Sequence, residues 1–408
     1  MLASEAAMQA EIIAVGSELL LGQIVDTNSA FIAREFAAAG LDLYYKITVG
    51  DNLARLEAAV RQALSRSQVI VTTGGIGPTA DDITREAVAA ATGRELVFSP
   101  DLMAQIEAFF AARRFKLSPS NRRQAFIPAG AIPVENPVGT APAFIVPVGE
   151  ASVITLPGVP REMQHLLTTR VLPYLRERYG LAGEIRLRVL KTVGLGESRI
   201  GESIADLMEK GKNPTVGTLA HLGQVDVRIA AKGTDGADAD RMIEPVEAEI
   251  RQRLGDIVFG VDDDTLEGRI AARLREGGAR VAVAELGSAG AVAERLATGA
   301  AEGFAGGVIL ARPDEGRRLT GDADVTGSAG ERAELLAGAV RKWNGVEIGL
   351  ATVFEDVPDT TPPVTVVGIA VALAGRRAGR EHRLGGDRPS LRIRTATLAL
   401  DLLRRSLP

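Results

Sequence analysis

Val69-Ile70-Val71-Thr72-Thr73-Gly74-Gly75-Ile76-Gly77-Pro78-Thr79-Ala80-Asp81-Asp82-Ile83-Thr84 decides how the chain is read. Its apolar, β-branched start reads as a buried strand. Ile83, Ala87, Val88 and Ala91 then recur at helical spacing. A strand therefore ends in a glycine turn, and a helix begins just after it. Glycines without Cβ atoms let a ligand approach the backbone. Free amides of such a turn and of a helix N-terminus attract phosphate oxygens. Asp81 and Asp82 enter the same place. Carboxylates beside a phosphate cradle suit a hard divalent cation, because Mg²⁺ takes oxygen ligands together with substrate phosphates. The competing reading makes Asp81 or Asp82 the helix N-cap.

The alternation continues on both sides. Ile12 to Val15 reads as a strand stopping at Gly16, and Phe31, Ile32 and Phe36 as a helix stopping at Gly40. Leu43 to Val49 is a second strand, and Leu53, Leu56, Val60 and Leu64 mark a second helix. This order predicts a mostly parallel sheet between two helical layers, a three-layer αβα domain over 1–180. Ligands of such sheets sit beyond the carboxyl ends of the strands. From 181 to 261 the pattern changes. Ile185 to Leu190 and Val225 to Ile229 alternate apolar and polar residues, and Met242 to Leu254 is amphipathic, giving a small α+β module. From 262 to 408 an α/β pattern returns and predicts a second αβα domain. Asp264 or Thr265 is placed to cap the helix carrying Leu266, Ile270 and Leu274.

Composition excludes several chemistries. There is no cysteine, so thiolate zinc sites and cysteine nucleophiles are absent. The three histidines, His165, His221 and His382, are far apart in sequence. A net charge of −5 gives no basic footprint, so no nucleic-acid partner is expected. Met1 to Gln9 lacks the pattern of a signal peptide, and no apolar run is long enough to span a bilayer. The expectation is a cytoplasmic protein without a membrane partner. No Gly-Lys-Ser/Thr phosphate loop is present.

Three further segments look like parts of a site. Gly16-Ser17-Glu18 to Asp26-Thr27-Asn28 follows the first strand and could hold hydroxyls or phosphate. Its plainer reading is a helix cap. Gly50-Asp51-Asn52 follows the second strand, where Asp51 could bind metal, orient water or cap the next helix. Asn136 to Pro142 and Leu156 to Met163 are shaped by proline and glycine. Within the latter, Glu162 is either a site carboxylate or a first-turn helix residue favoured by the macrodipole.

Taken together and in this order, these segments resemble the CinA family (competence/damage-inducible protein A) over nearly the whole chain. The N-terminal region is similar to the molybdopterin-binding fold of the MoaB/MogA type, and Gly194-Leu195-Gly196-Glu197-Ser198 fits the middle module. The resemblance implies a metal-dependent pyrophosphatase that converts ADP-ribose to AMP and ribose 5-phosphate. It makes Asp51, Asp82 and Asp81 the catalytic candidates and Asp51, Asp82 and Glu162 the metal candidates. The substrate candidates are Gly16, Ser17, Glu18, Asp26, Asn28, Gly74, Gly75, Gly77, Thr79, Thr84, Asn136, Gly139 and Thr140. Mg²⁺ or another divalent metal, with K⁺ as a further candidate, a small nucleotide substrate and a homodimer are the implied cofactors and partners.

The last third departs from the family. There the family carries a nicotinamide-nucleotide amidase domain marked by Ala-Glu-Ser-Cys-Thr-Gly-Gly. This chain reads Ala284-Glu285-Leu286-Gly287-Ser288-Ala289-Gly290, with Leu286 at the place of the nucleophilic serine. The family's later tyrosine and lysine are Ala311 and Gly316 here, and Thr352 to Val357 replaces its glycine loop. Leucine offers no oxygen and glycine no base. Ser288 is displaced by two residues, and Lys342 and His382 lie away from the motif. The expectation is a domain that folds and has lost amidation. Two alternatives stay open: a nicotinamide mononucleotide deamidase with an unrecognised nucleophile, and a non-catalytic pterin- or nucleotide-binding scaffold.

Overall fold

The computed structural model describes residues 8–181, 183–210, 213–321 and 325–407. Residues 1–7, on which most of the signal-peptide reading rests, lie outside the described residues. The chain forms two compact units, one of Met1–Arg186 with Lys232–Asp240, the other of Leu187–Ala231 with Arg241–Pro408.

In the first unit, β1 (Gln9–Val15) leads through the short α1 (Ser17–Leu20) to α2 (Thr27–Ala38). Then come β2 (Asp42–Val49), α3 (Leu53–Leu64), β3 (Val69–Thr73) and α4 (Thr84–Ala91). A ribbon of β4 (Leu96–Phe98) and β5 (Phe126–Pro128) flanks α5 (Pro100–Ala112). The chain returns through β6 (Ile132–Val134), β7 (Ala143–Val148), β8 (Ala151–Leu156), α6 (Pro160–Leu166) and α7 (Leu172–Tyr179). The main sheet has the order β2-β1-β3-β8-β7-β6. Its first four strands are parallel, and β7 and β6 run antiparallel to their neighbours.

Strand alternation builds the layers. Ile12, Val69 and Val71 pack with Ile32 and Phe36 of α2 and with Met163 and Leu172. Ile13 and Ile70 pack on the opposite face with Leu56 of α3, Val88 of α4 and Ile106 of α5. Side chains such as Ile32 and Phe36 are fully buried, each contributing about 1.5–3 kcal/mol of apolar transfer. This is the expected three-layer αβα fold. Asp26 caps α2 by accepting from Ser29 N at 2.9 Å, as the helix-cap reading predicted. For α3 the cap is Asn52, accepting from Arg55 N at 3.1 Å, which leaves Asp51 outside the cap.

In the second unit, β9 (Glu184–Val193), which begins in the first unit's tail, precedes α8 (Glu197–Ser203), α9 (Ala205–Lys210), β10 (Thr215–His221) and β11 (Gln224–Gly233). After α10 (Gly236–Leu254), β12 (Val258–Val261) completes a sheet of order β10-β11-β9-β12. The remainder runs α11 (Leu266–Glu276), β13 (Val281–Leu286), α12 (Ala291–Gly299), β14 (Phe304–Leu310) and α13 (Arg317–Thr320). It closes with α14 (Ala329–Asn344), β15 (Ile348–Val357), β16 (Val364–Leu373), β17 (Arg376–Gly385) and α15 (Arg388–Ser406). This second sheet has the order β14-β13-β15-β16-β17, with α11, α12 and α15 packed on one face and α14 on the other. Thr265 caps α11. Val193 and Phe259 are buried in the same apolar cluster as Leu266 and Leu403.

Candidate active site

The topology of the first unit gathers the predicted loops. β1, β2, β3 and β8 are parallel, so the loops after Val15, Val49, Thr73 and Leu156 leave the same sheet edge. β7 is antiparallel and pairs Phe144 with Thr155, so the 135–142 loop reaches that edge from the other direction. Hydrogen bonds tie the loops together. Gly16 N donates to Val49 O and Gly74 N to Leu156 O, each at 3.0 Å. Asn28 Nδ2 donates to Gly158 O at 2.8 Å and to Thr73 Oγ1 at 3.2 Å.

Asp51 stands at the tip of β2. Its Oδ2 accepts from Ser17 N at 2.9 Å, and its own amide donates to Ser17 Oγ at 3.1 Å. This reciprocal pair orients the carboxylate, and no hydrogen bond among the described residues engages Oδ1. Glu18 lies beside Gly16, where a Cβ would come 2.5 Å from its carboxylate.

The glycine turn needs its glycines. Gly74 and Gly75 have φ of 106° and 67°, in the left-handed region that side chains disfavour. A Cβ at Gly75 would stand 2.2 Å from Thr84 Oγ1, which donates to Gly74 O at 2.8 Å. Asp82 does not cap α4, whose N-cap is Ile83 without a side-chain bond. Instead Asp82 folds back over its own loop. Oδ1 accepts from Gly77 N at 2.7 Å, and Oδ2 accepts from Thr79 N at 2.8 Å and from the Thr79 hydroxyl. The amides of Gly75 and Ile76 have no such partner among the described residues. Asp81 is exposed. The Thr79 side chain, its own backbone and Arg123 hold the Asp81 carboxyl below the usual range.

Two arginines missed in the sequence support this turn. Arg85 is only 2% exposed, and its guanidinium donates to Ile76 O at 2.5 Å and Gly77 O at 2.7 Å. Burial lowers its proton affinity, while Glu86 and Asp82 oppose that shift. Arg123 donates to Thr79 O at 2.6 Å and pairs with Glu86 at 3.0 Å. The only sequence signal for Arg85 was a charge among the apolar positions of α4.

Asn136 is fully buried and donates to Glu162 Oε2 at 2.6 Å and to Ala141 O at 2.9 Å. Glu162 sits in the first turn of α6, half-buried against Gly139, where a Cβ would meet its carboxylate at 2.0 Å. Burial pushes its carboxyl up, and the Asn136 bond only partly offsets this. Thr140 is nearby, its hydroxyl accepting from Gln124 Nε2 at 3.5 Å.

The sheet edge thus assembles the predicted substrate candidates, but not the predicted metal set. Among the described residues no group of three or more histidine, aspartate or glutamate side chains is arranged to hold a metal ion. Asp82 is used by its own loop, and Glu162 is used by Asn136. Asp51 is left with the more open oxygen.

The corresponding turn in the second unit is filled. Glu285 is fully buried at the end of β13. Its carboxylate accepts from Ser288 Oγ at 2.6 Å, Gly290 N at 3.0 Å and Ala293 N at 2.8 Å. Ser288 is itself fully buried and shares its hydroxyl with Thr352 at 2.6 Å. Leu286 packs in the apolar cluster with Leu310, Val325 and Leu336, and a Cβ at Gly316 would strike Val325 at 2.7 Å. No helix among the described residues is long and apolar enough to cross a membrane.

Three family models match the chain in order. Residues 11–177 match the family model described as a probable molybdopterin binding domain. Residues 187–260 match the damage-inducible protein CinA KH domain, and 263–407 the CinA C-terminal domain. A putative competence-damage inducible protein of Alkaliphilus oremlandii is 37% identical over 410 residues, covering 98% of this chain and 99% of the relative. One from Moorella thermoacetica is 39% identical over 411 residues, with the same coverage of both chains. The crystal structure of CinA from Thermoplasma acidophilum is 41% identical to this chain over the matched region. It covers 40% of this chain and 95% of its own, with a TM-score of 0.38. Near-complete coverage at this identity, with all three family models in order, places the chain in the CinA family of competence-damage inducible proteins.

Proposed function

We propose that the crevice at the carboxyl edge of the first unit's sheet hydrolyses the diphosphate of ADP-ribose, giving AMP and ribose 5-phosphate. The observation that carries this reading is the convergence of five loops there, with an oriented and half-open Asp51 facing no competing partner at Oδ1. The open amides of Gly75 and Ile76 suit a phosphate. The buried Arg85 guanidinium beneath them adds positive potential that solvent screens weakly.

The donor set fits a hard cation shared with substrate. Mg²⁺ commonly uses one or two carboxylates plus substrate phosphates, so a protein-only cage of three is not required. Asp51 would hold it, with Asp82 shaping the loop. Such an ion would neutralise phosphate charge and make water a better nucleophile. Glu162, with its raised proton affinity, is the crevice's proton-holding group, and Asn136 fixes it in place. Ser17 holds Asp51, and Asn28 locks the β3 and β8 loops. The implied homodimer belongs to the same proposal and is checked by light scattering.

The test is turnover of ADP-ribose by the full chain with Mg²⁺ and K⁺, followed as AMP. AMP that appears with Mg²⁺ and vanishes with chelator is the expected result. Saturable ADP-ribose binding without AMP would replace the hydrolase by a binding scaffold.

A further inference from the structure

The Gly194–Ser198 segment takes no part in the proposed hydrolysis. Within the second unit its residues Gly194 to Glu197 line a cavity of about 320 Å³, together with His221, His382 and Arg394. An adjoining cavity of about 230 Å³ shares Gly194 and His382 and adds Arg380. Strand alternation explains why a basic pair faces this space. Ala378 and Leu384 of β17 pack into the apolar cluster under α15. Arg377 and Glu381 point to the other face, where Glu381 accepts from Gly330 N of α14 at 2.6 Å. Arg380 and His382 share the parity of Ala378 and Leu384, so they interrupt an apolar face with two polar groups.

Hydrogen-bond accounting shows an excess of donors. Neither His382 nor Arg380 has a partner among the described residues. Arg394 spends one nitrogen on Gly385 O at 2.9 Å. The amides of Leu195 and Gly196 are likewise unengaged among the described residues. Asp401 and Glu197 are carboxylates on these walls, and each is engaged through at least one oxygen. Asp401 is paired with Arg404 and Arg405, and Glu197 accepts from the Thr218 hydroxyl at 2.9 Å. His221 is oriented by Asp226, its Nε2 lying 3.1 Å from Oδ2, so its Nδ1 is left over. Burial and the adjacent Arg380 push the proton affinity of His382 down. The larger cavity is at the small end of ligand sites, which span roughly 300–1,000 Å³.

We propose that these two adjoining cavities bind a small phosphomonoester, with the phosphate seated by Arg380 and His382. Guanidinium groups with spare planar donors and an unpaired imidazole match a compact dianion. This site is separate from the N-terminal crevice and does not rest on the hydrolase reading.

The chain's three histidines make the test direct. Full-length protein labelled with ¹⁵N-histidine is titrated with ribose 5-phosphate and with inorganic phosphate, using ribose and sodium chloride as controls. Saturable shifts of His382, with His165 unmoved, are the expected result. Flat or unsaturable His382 shifts, or equal shifts with sodium chloride, would overturn the proposal. Arg380→Ala keeps the His382 reporter and should weaken binding about tenfold or more, as loss of a charged hydrogen bond does. Unchanged affinity in that variant, with all three histidine signals retained, would also overturn it. ADP-ribose hydrolysis is measured separately, so failure of one site leaves the other's result intact.

Discussion

Two turns of the same outline stand at the ends of β3 and β13, and they have opposite fates. Each follows a buried parallel strand, passes through glycines and starts a helix. In each a carboxylate accepts amide hydrogens from its own turn: Asp82 from Gly77 and Thr79, Glu285 from Gly290 and Ala293. The difference is access. Asp82 belongs to a partly exposed loop at the same sheet edge as the open Asp51, whereas Glu285 is sealed in the core next to Leu286. A turn built to receive an anion can therefore be kept open to ligands or satisfied from within. Glycine pattern alone does not tell the two apart.

The largest expected effect is on the open side. Asp51→Asn keeps an oxygen for Ser17 N but loses the charge. It should cut kcat/KM for ADP-ribose by about a thousandfold, a loss of about 4 kcal/mol, with an unchanged melting curve. Activity within tenfold of the parent would remove Asp51 from the chemistry. Next comes the sealed side. Glu285→Ala strands two amides and leaves the Ser288 hydroxyl with Thr352 alone, and should cost about 2–3 kcal/mol in urea unfolding while hydrolysis in the folded protein stays normal. Leu286→Ser should cost about 2 kcal/mol by opening the apolar cluster, and should release no ammonia from nicotinamide mononucleotide, because Gly316 still supplies no base. Ammonia from that variant would show that the second turn is dormant and not lost.

The smallest effect concerns Glu162. Its folded carboxyl binds a proton more tightly than the unfolded one, chiefly through burial. Its contribution to stability is therefore full below the unfolded pKa and declines as pH rises through the folded value. Glu162→Gln imitates the protonated form. It should leave stability nearly unchanged at low pH and raise it by less than about 1 kcal/mol at neutral pH, while lowering turnover. Melting temperatures across pH 4 to 8 would check the sign, and a variant less stable at neutral pH would contradict it.

Much of the fold was legible because it rests on local patterns. The apolar run at Val69 and the helical spacing after Ile83 both became the elements they suggested, and the paired faces at Ile12 and Ile13 gave the layers. Helix ends were legible unevenly: Asn52, next to the expected Asp51, caps α3, whereas α10 begins at Gly236, well before Met242. The site was less legible. Asp82's bonds depend on the loop curling back over Gly77, and Arg85's on a carbonyl pair presented from outside its helix. No spacing rule encodes either. The loss at Leu286 could be read directly, since it is a change of residue type. The substitute role of Glu285 could not, because it follows from left-handed backbone at Gly287, Ala289 and Gly290.

The most direct measurement offers ADP-ribose and nicotinamide mononucleotide together to the full-length protein with Mg²⁺ and K⁺, following AMP and ammonia in one sample. The account predicts AMP without ammonia. Ammonia, or an absence of AMP, would contradict the contrast between an open first turn and a sealed second one.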